Sequence, residues 1–597
     1  MNAQYAVNVR QAWFRRGLPG VLAVAVVASA AFAGKAWAGP PPAARLLPKS
    51  TLAFASIADT TEFREKLLES SWGQMSQNPQ LKPLVERLFD TLDKAFVAVE
   101  QQLGASPRDL LAIPQGELAV AVLPQPKGQP AMVLLLDAGQ RAAQADKVVE
   151  RAVKFLEELG GSRREDTAAG TQLVIFEFAG GGDANNEVAY FRKDGAICAA
   201  TSVAVLKTLL ERWNGKSPDS LEQNSNFAVL SQRCRPSEKE RSQVLLYADP
   251  IALARNVMGD NAAARVGLAM VPALGLDGLL GVGGSVSLAT SQYDMVIHAH
   301  VLLDNPRKGI PDLIALRSGD MTPESWVPGD ATAYTTVYWD VEKTYRKLGK
   351  LVDGFLGQGA LTRQFRDPLR DRFGIDLEQE ILPALAGRFT MVSLLERPAR
   401  LGSQGLLLAA SLKEPDKFQV TLEKLVAHDG ATFTKKAYGG KAYFELQLPT
   451  AAGGAWQRPC CGILGDCLLL ADRPSFFEAA VVTLGESSKA LGTSLDYKLI
   501  ASKLGRQAVN PGLVSFSRPE QSLRYVYDLA ASADTRRTLA EQGESNPLLR
   551  DLGQALEQNP LPPFSVLEQY LAPGGAALTD DESGLHYQSF TLRRARP

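Results

Sequence analysis

Residues 47–59 read LPKSTLAFASIAD, and residues 327–340 read VPGDATAYTTVYWD. Each stretch opens on an apolar residue and a proline, runs through a short alternating strand, and ends at an aspartate placed to cap a helix. In the first, Asp59 with Glu62 three residues later makes a capping-box pattern, and Phe63, Leu67 and Leu68 then share one helical face. Tyr345 and Leu348 take that part in the second.

The parallel continues outward in the same order. A long amphipathic helix is expected over 80–103, with Leu81, Leu84, Val85, Leu88, Phe89, Leu92 and Phe96 on one face. The segment 104–117 matches Gly374–Arg388, each a short capped helix that ends at a glycine. Strands Leu118–Leu123 and Met132–Asp137 match Phe389–Leu395 and Leu406–Leu412, and helix Gln144–Leu159 matches Pro415–Val426. Hairpins follow, turning at Asp194-Gly195 and at Gly465-Asp466, since Asp-Gly between apolar runs favours a tight turn. Helix Val203–Trp213 pairs with Ser475–Leu484, and the strand at Val244 pairs with that at Val514. Gly283-Gly284 before Ser285–Ala289 matches Gly574-Gly575 before Ala576–Leu578.

Strands that alternate apolar with small or polar residues and are joined by tight turns favour antiparallel pairing with helices on a face. The expectation is an α+β protein of two tandem diverged copies, each a mostly antiparallel sheet covered by helices. The copies span 48–305 and 327–597, with a Pro-rich linker at 39–47 and a Pro/Gly-punctuated linker at 306–326.

Residues 1–38 have the three-part layout of a secretory signal. Arg10, Arg15 and Arg16 form a positive region, Gly17 to Gly34 carries no charge, and small-x-small sites follow at Ala31-Phe32-Ala33 and Ala36-Trp37-Ala38. Cleavage after Ala38 is the expectation, with an uncleaved anchor and membrane contact through 17–34 as the rival. The most apolar internal stretch, Val266 to Leu276, is too short to span a bilayer and contains Pro272.

The 597 residues are 45% hydrophobic and carry 64 Lys+Arg against 65 Asp+Glu. Without a basic excess or stripe to neutralise phosphates, nucleic acid is excluded as an expected partner. Cys198, Cys234, Cys460, Cys461 and Cys467 are an odd set, which leaves at least one thiol unpaired. Cys460 or Cys461 bridging Cys467 across a hairpin, and buried free thiols, stay open side by side. A zinc site lacks a fourth ligand and the usual spacing.

No residue emerges as a catalytic, cofactor-binding or metal-binding site. Gly180–Asn186 lies between strands and reads as a hairpin loop rather than a phosphate cradle. Gly281-Val-Gly-Gly-Ser285 reads as a helix-terminating turn. Of the four histidines, His298 and His300 share a strand face and read as a surface pair, while His428 and His586 stand apart. Asp580-Asp581-Glu582 misses the twelve-residue calcium spacing and reads as a solvated turn. Residues 262–282 are almost uncharged, with Val266, Leu268, Met270 and Val271 expected to pack in the core, and Arg550, Asp551 and Glu557 stand in the matching stretch.

Residues 374–387 (GIDLEQEILPALAG), the opening Leu-Pro strand, the turn Lys193-Asp194-Gly195, and Ser220-x8-Val229 leading into Leu245–Asp249 carry a likeness. In these motifs the chain resembles an uncharacterised family of exported bacterial proteins carried under a domain-of-unknown-function label. The resemblance implies no established reaction, cofactor or catalytic residue, and Arg388 stands where the first copy has Glu117. The functional expectation is an exported envelope protein, non-catalytic, that binds or scaffolds an envelope protein or lipid. A hydrophobic-ligand carrier with 262–282 as lid, and a hydrolase with an unrecognised site, are the other readings.

Overall fold

The structure, a computed structural model, describes residues 39–83, 113–126, 129–179, 186–215, 219–236, 241–258, 262–400, 402–427, 433–447, 458–532, 537 and 561–594. Residues 1–38, the amphipathic stretch from Leu84 onward, the loop 180–185, His428, and Arg550, Asp551 and Glu557 lie outside the described residues. The chain divides into two compact units. The first runs to Val271 and includes Leu279–Ser291 and Met295–Leu302; the second takes Pro272–Gly278, Gln292–Asp294 and everything from Leu303.

The first unit is α+β. Its strands are β1 (Ala53–Ile57), β2 (Leu118–Leu123), β3 (Ala131–Asp137), β4 (Gly161–Ala168), β5 (Thr171–Phe178), β6 (Glu187–Lys193), β7 (Ala196–Ala200), β8 (Val244–Ala248), β9 (Leu279–Leu288) and β10 (Tyr293–Leu303). They lie in the order β4-β5-β6-β7-β3-β2-β1-β8-β9, antiparallel throughout, with β10 beside β9. Helices are α1 (Ala43–Leu46), α2 (Thr60–Glu69), α3 (Ala142–Glu158), α4 (Val203–Trp213), α5 (Ser225–Arg233), α6 (Pro250–Val257) and α7 (Ala262–Ala273).

One sheet face buries Phe54, Ala119, Ala121, Val133 and Leu135 against α1, α4 and α5 through Leu46, Leu206, Leu210, Phe227 and Leu230. On the other face α3 covers the β3 to β7 end of the sheet, where Val148, Val149, Ala152 and Leu156 meet Phe176, Tyr190 and Ile197. Full burial of each such side chain stabilises by roughly 1.5–3 kcal/mol. Helix α2 starts at Asp59, whose carboxylate accepts from the N–H groups of Thr61 and Glu62. Glu62 does not close the capping box; its Oε1 accepts from Gln243 Nε2 at 2.9 Å.

In the second unit the strands are β11 (Ala333–Tyr338), β12 (Leu385–Leu395), β13 (Gln404–Leu412), β14 (Phe433–Tyr438), β15 (Lys441–Leu446), β16 (Cys460–Leu464), β17 (Cys467–Ala471), β18 (Leu513–Ser517), β19 (Gly574–Asp581) and β20 (Gly584–Leu592). Their order is β14-β15-β16-β17-β13-β12-β11-β18-β19-β20, again antiparallel. Helices α8 (Val341–Leu356), α9 (Pro415–Ala427), α10 (Pro474–Gly485), α11 (Leu495–Gln507) and α12 (Pro519–Ala531) accompany them.

Each unit has a stack of three rings between its first strand, a helix and its eighth strand. Phe227 on α5 meets Phe54 and Tyr247 edge-on at 5.9 and 5.4 Å, and Tyr497 on α11 meets Tyr334 and Phe516 edge-on at 6.3 and 5.5 Å. The prolines opening these segments make matching single bridges, Pro48 to Ser220 and Pro328 to Ala490.

Several expectations are corrected. Gly281–Ser285 is not a turn but the middle of β9. A Cβ on Gly283 would stand 2.8 Å from Leu230 Cβ, and one on Gly575 2.5 Å from Ile500 Cγ2, so each glycine lets a helix press on the sheet. Helix α7 is not core: Val266 is 67% exposed, and Leu268, Met270 and Val271 are only half-buried. In the stretches read as linkers, Ala43, Leu46 and Leu47 are buried within 39–47, and Pro311, Ala315 and Trp326 within 306–326.

Candidate functional site

The part of the first sheet that α3 leaves uncovered forms an apolar groove of about 460 Å³. Residues paired across antiparallel strands put their side chains on the same face. The register gives two rows on the groove side, Val120–Ala55–Leu246–Gly284 and Val122–Ala53–Ala248–Val282. Val286, Ile297 and Ala299 extend the lining toward β9 and β10. Val120 is 38% exposed and Leu246 45%, so the described residues leave both open to solvent.

Sequence places these side chains by simple alternation. In β1 the residues Ala53, Ala55 and Ile57 face one way and Phe54 the other, into the helix-covered core. Two polar side chains at the groove, Ser285 and Tyr247, are engaged elsewhere. Ser285 Oγ donates to the Cys234 carbonyl at 2.5 Å, and the Tyr247 hydroxyl, pushed up to about 12 mainly by burial, belongs to the ring stack. Among the described lining residues no side chain is a carboxylate, lysine or arginine.

The second unit pairs Thr335 with Met391 and Ser515, and Ala333 with Ser393 and Ser517, at the same strand positions. Thr335 Oγ1 and Ser515 Oγ are 2.9 Å apart. Where the first face is aliphatic, this one is rich in hydroxyls. A second cavity, of about 400 Å³, lies in the second unit along α8 beside Glu342, Tyr345, Arg346, Lys350 and Glu378. There Tyr345 OH donates to Glu378 Oε1 at 3.1 Å, and Arg346 meets Glu342 at 3.7 Å.

His298 and His300 are not a surface pair; they are 6% and 0% exposed. Among the described residues no three His, Cys, Asp or Glu side chains gather as metal ligands do. All five cysteines are free thiols and buried. In the β16–β17 hairpin Cys467 lies opposite Leu464, Cys461 opposite Leu470 and Cys460 opposite Ala471, so no two sulfurs face each other. Burial pushes Cys234 and Cys461 up to about 11 and Cys460 and Cys467 up to about 12, which keeps them protonated and unreactive. Asp580 in the acidic turn pairs with Arg307.

The charge swap between Glu117 and Arg388 has a structural meaning that spacing alone missed. Ala43 N–H donates to Glu117 Oε2 at 2.7 Å, and burial raises that carboxyl above its usual range. Arg388 instead meets Glu324 at 3.0 Å and donates to Tyr334 OH at 2.9 Å. In both units this residue fastens the segment that precedes the first strand.

No family model matches the chain, and neither a curated protein nor a solved structure matches it. Among the described residues no helix is long and apolar enough to cross a membrane.

Proposed function

We propose that this chain is an exported, non-catalytic binding protein of the bacterial envelope, built from two diverged copies of one α+β unit, and that its first unit carries a hydrophobic ligand. The observation that carries the reading is the aliphatic groove on the part of the first sheet that the described helices leave uncovered, whose size falls within the ~300–1,000 Å³ of small-molecule sites. Apolar side chains held open to water gain when an apolar ligand covers them. The duplication is supported by the same strand order in both units, the two three-ring stacks, and the two strand glycines under α5 and α11. Export rests on the layout of residues 1–38, and lipid is the favoured partner.

Native mass spectrometry of the full chain purified from its own envelope, without detergent, tests the reading. The expected spectrum has satellite peaks at lipid-sized mass increments that organic extraction removes. A single bare species, with no lipid taken up on incubation with vesicles, would overturn it. N-terminal sequencing of the same sample is expected to begin at Gly39.

A further inference from the structure

We infer that the groove takes one extended acyl chain per molecule, with its head group left in solvent, and that the matching face of the second unit takes none. This rests on the binding function proposed above and names its ligand class.

The lining decides between kinds of apolar ligand. The middle of the two rows is made of Ala53, Ala55, Ala248 and Leu246, with valines at the β2 end. The groove crosses from β2 over β1, β8 and β9 to β10, four strand spacings of ~4.8 Å, or about 19 Å. That is a path for a long flexible hydrocarbon. The rings nearest the groove, Phe54 and Tyr247, are engaged edge-on with Phe227 on the helix side, so none offers a face for stacking a flat polycyclic ligand. No charged side chain of the described lining is placed to pair with a carboxylate or phosphate, so affinity must come from methylenes. Each one buried multiplies binding about fourfold.

The second unit carries the control within the same molecule. Thr335, Ser393, Ser515 and Ser517 stand where the first unit has Ala55, Val122, Leu246 and Ala248. Covering these hydroxyls with hydrocarbon would strip their water without replacing the hydrogen bonds. The equivalent face of the second unit is thus closed to the same ligand by four small polar residues.

The experiment uses the full chain, photoactivatable palmitate and mapping of the labelled peptides by mass spectrometry. The expected result is at most one label per chain, in peptides containing β1, β2 or β8–β10, with saturated fatty acids competing better as they lengthen. Label on β11, β12 or β18, two labels per chain, or a sterol probe competing as well as palmitate would overturn the inference. Ala248→Phe fills the middle of the groove and is expected to weaken palmitate binding at least tenfold, while Ser517→Phe, its counterpart, leaves it within twofold. Equal binding by A248F would also overturn it. Should A248F fail to fold by circular dichroism, the label map on the unaltered chain still decides. A chain that takes up no lipid at all refutes the function itself; a chain that takes up ring compounds instead refutes only this inference.

Discussion

Gly283 and Gly575 show how a single missing side chain sets the distance between a sheet and a helix. Gly283→Val would push into Leu230, and Gly575→Val into Ile500 and Leu504. Overpacking of this kind costs about 1–3 kcal/mol, so each variant is expected to lower the urea midpoint of unfolding without changing the dependence on denaturant. The thiols give a second test at this scale. An ordinary thiol ionises near ~8.5, whereas burial raises Cys461 to about 11 and Cys460 to about 12. The unfolded chain therefore loses those protons first. The stabilisation from keeping them is fully present below about pH 8.5 and drains away as pH climbs toward the folded values. Urea midpoints should fall between about pH 9 and pH 11, and a thiol-reactive dye at about pH 8 should find no sites until denaturant exposes all five cysteines. A flat alkaline profile would contradict the buried placement. Cysteine count made an unpaired thiol legible in the sequence; only the register of β16 on β17 says that none of the three there can pair.

At the scale of elements, local sequence signals agree with the structure where one element settles the matter. Leu118–Leu123 and Val203–Trp213 form with the bounds their alternation and helical periodicity give, and Asp59 caps its helix as an aspartate before Thr60 should. Asp59→Ala is expected to cost about 0.5–2 kcal/mol, measurable by thermal unfolding. The glycine run at 281–285 misleads because glycine signals a turn unless something needs its missing Cβ, and that something, Leu230, lies about fifty residues away in sequence. Apolar composition likewise placed α7 in the core, although composition alone does not distinguish buried from exposed hydrophobic residues. The ring stacks were not legible either, since three rings from three elements carry no joint spacing. Phe227→Ala and Tyr497→Ala should each cost about 3–5 kcal/mol through the cavity they leave, whereas Leu495→Ala, on the exposed side of α11, should cost little.

For the molecule as a whole, both units repeat one strand order, and the same strand positions are aliphatic in the first unit and rich in hydroxyls in the second. Alternation in β1 already separates Ala53 and Ala55 from Phe54, so which residues share the groove face was readable. That the described helices would leave part of that face uncovered was not, because coverage depends on where α3 lies on the sheet. What covers Ala53, Ala55 and Ala248 decides whether the first unit carries a ligand. The most direct measurement is a crystal structure of the full chain purified from its envelope and never exposed to detergent. Continuous, unbranched density crossing from Val122 to Ile297, with bare hydroxyls at Thr335 and Ser515, is the predicted result. A groove filled by residues of the chain itself, or empty alongside an occupied second face, would contradict it.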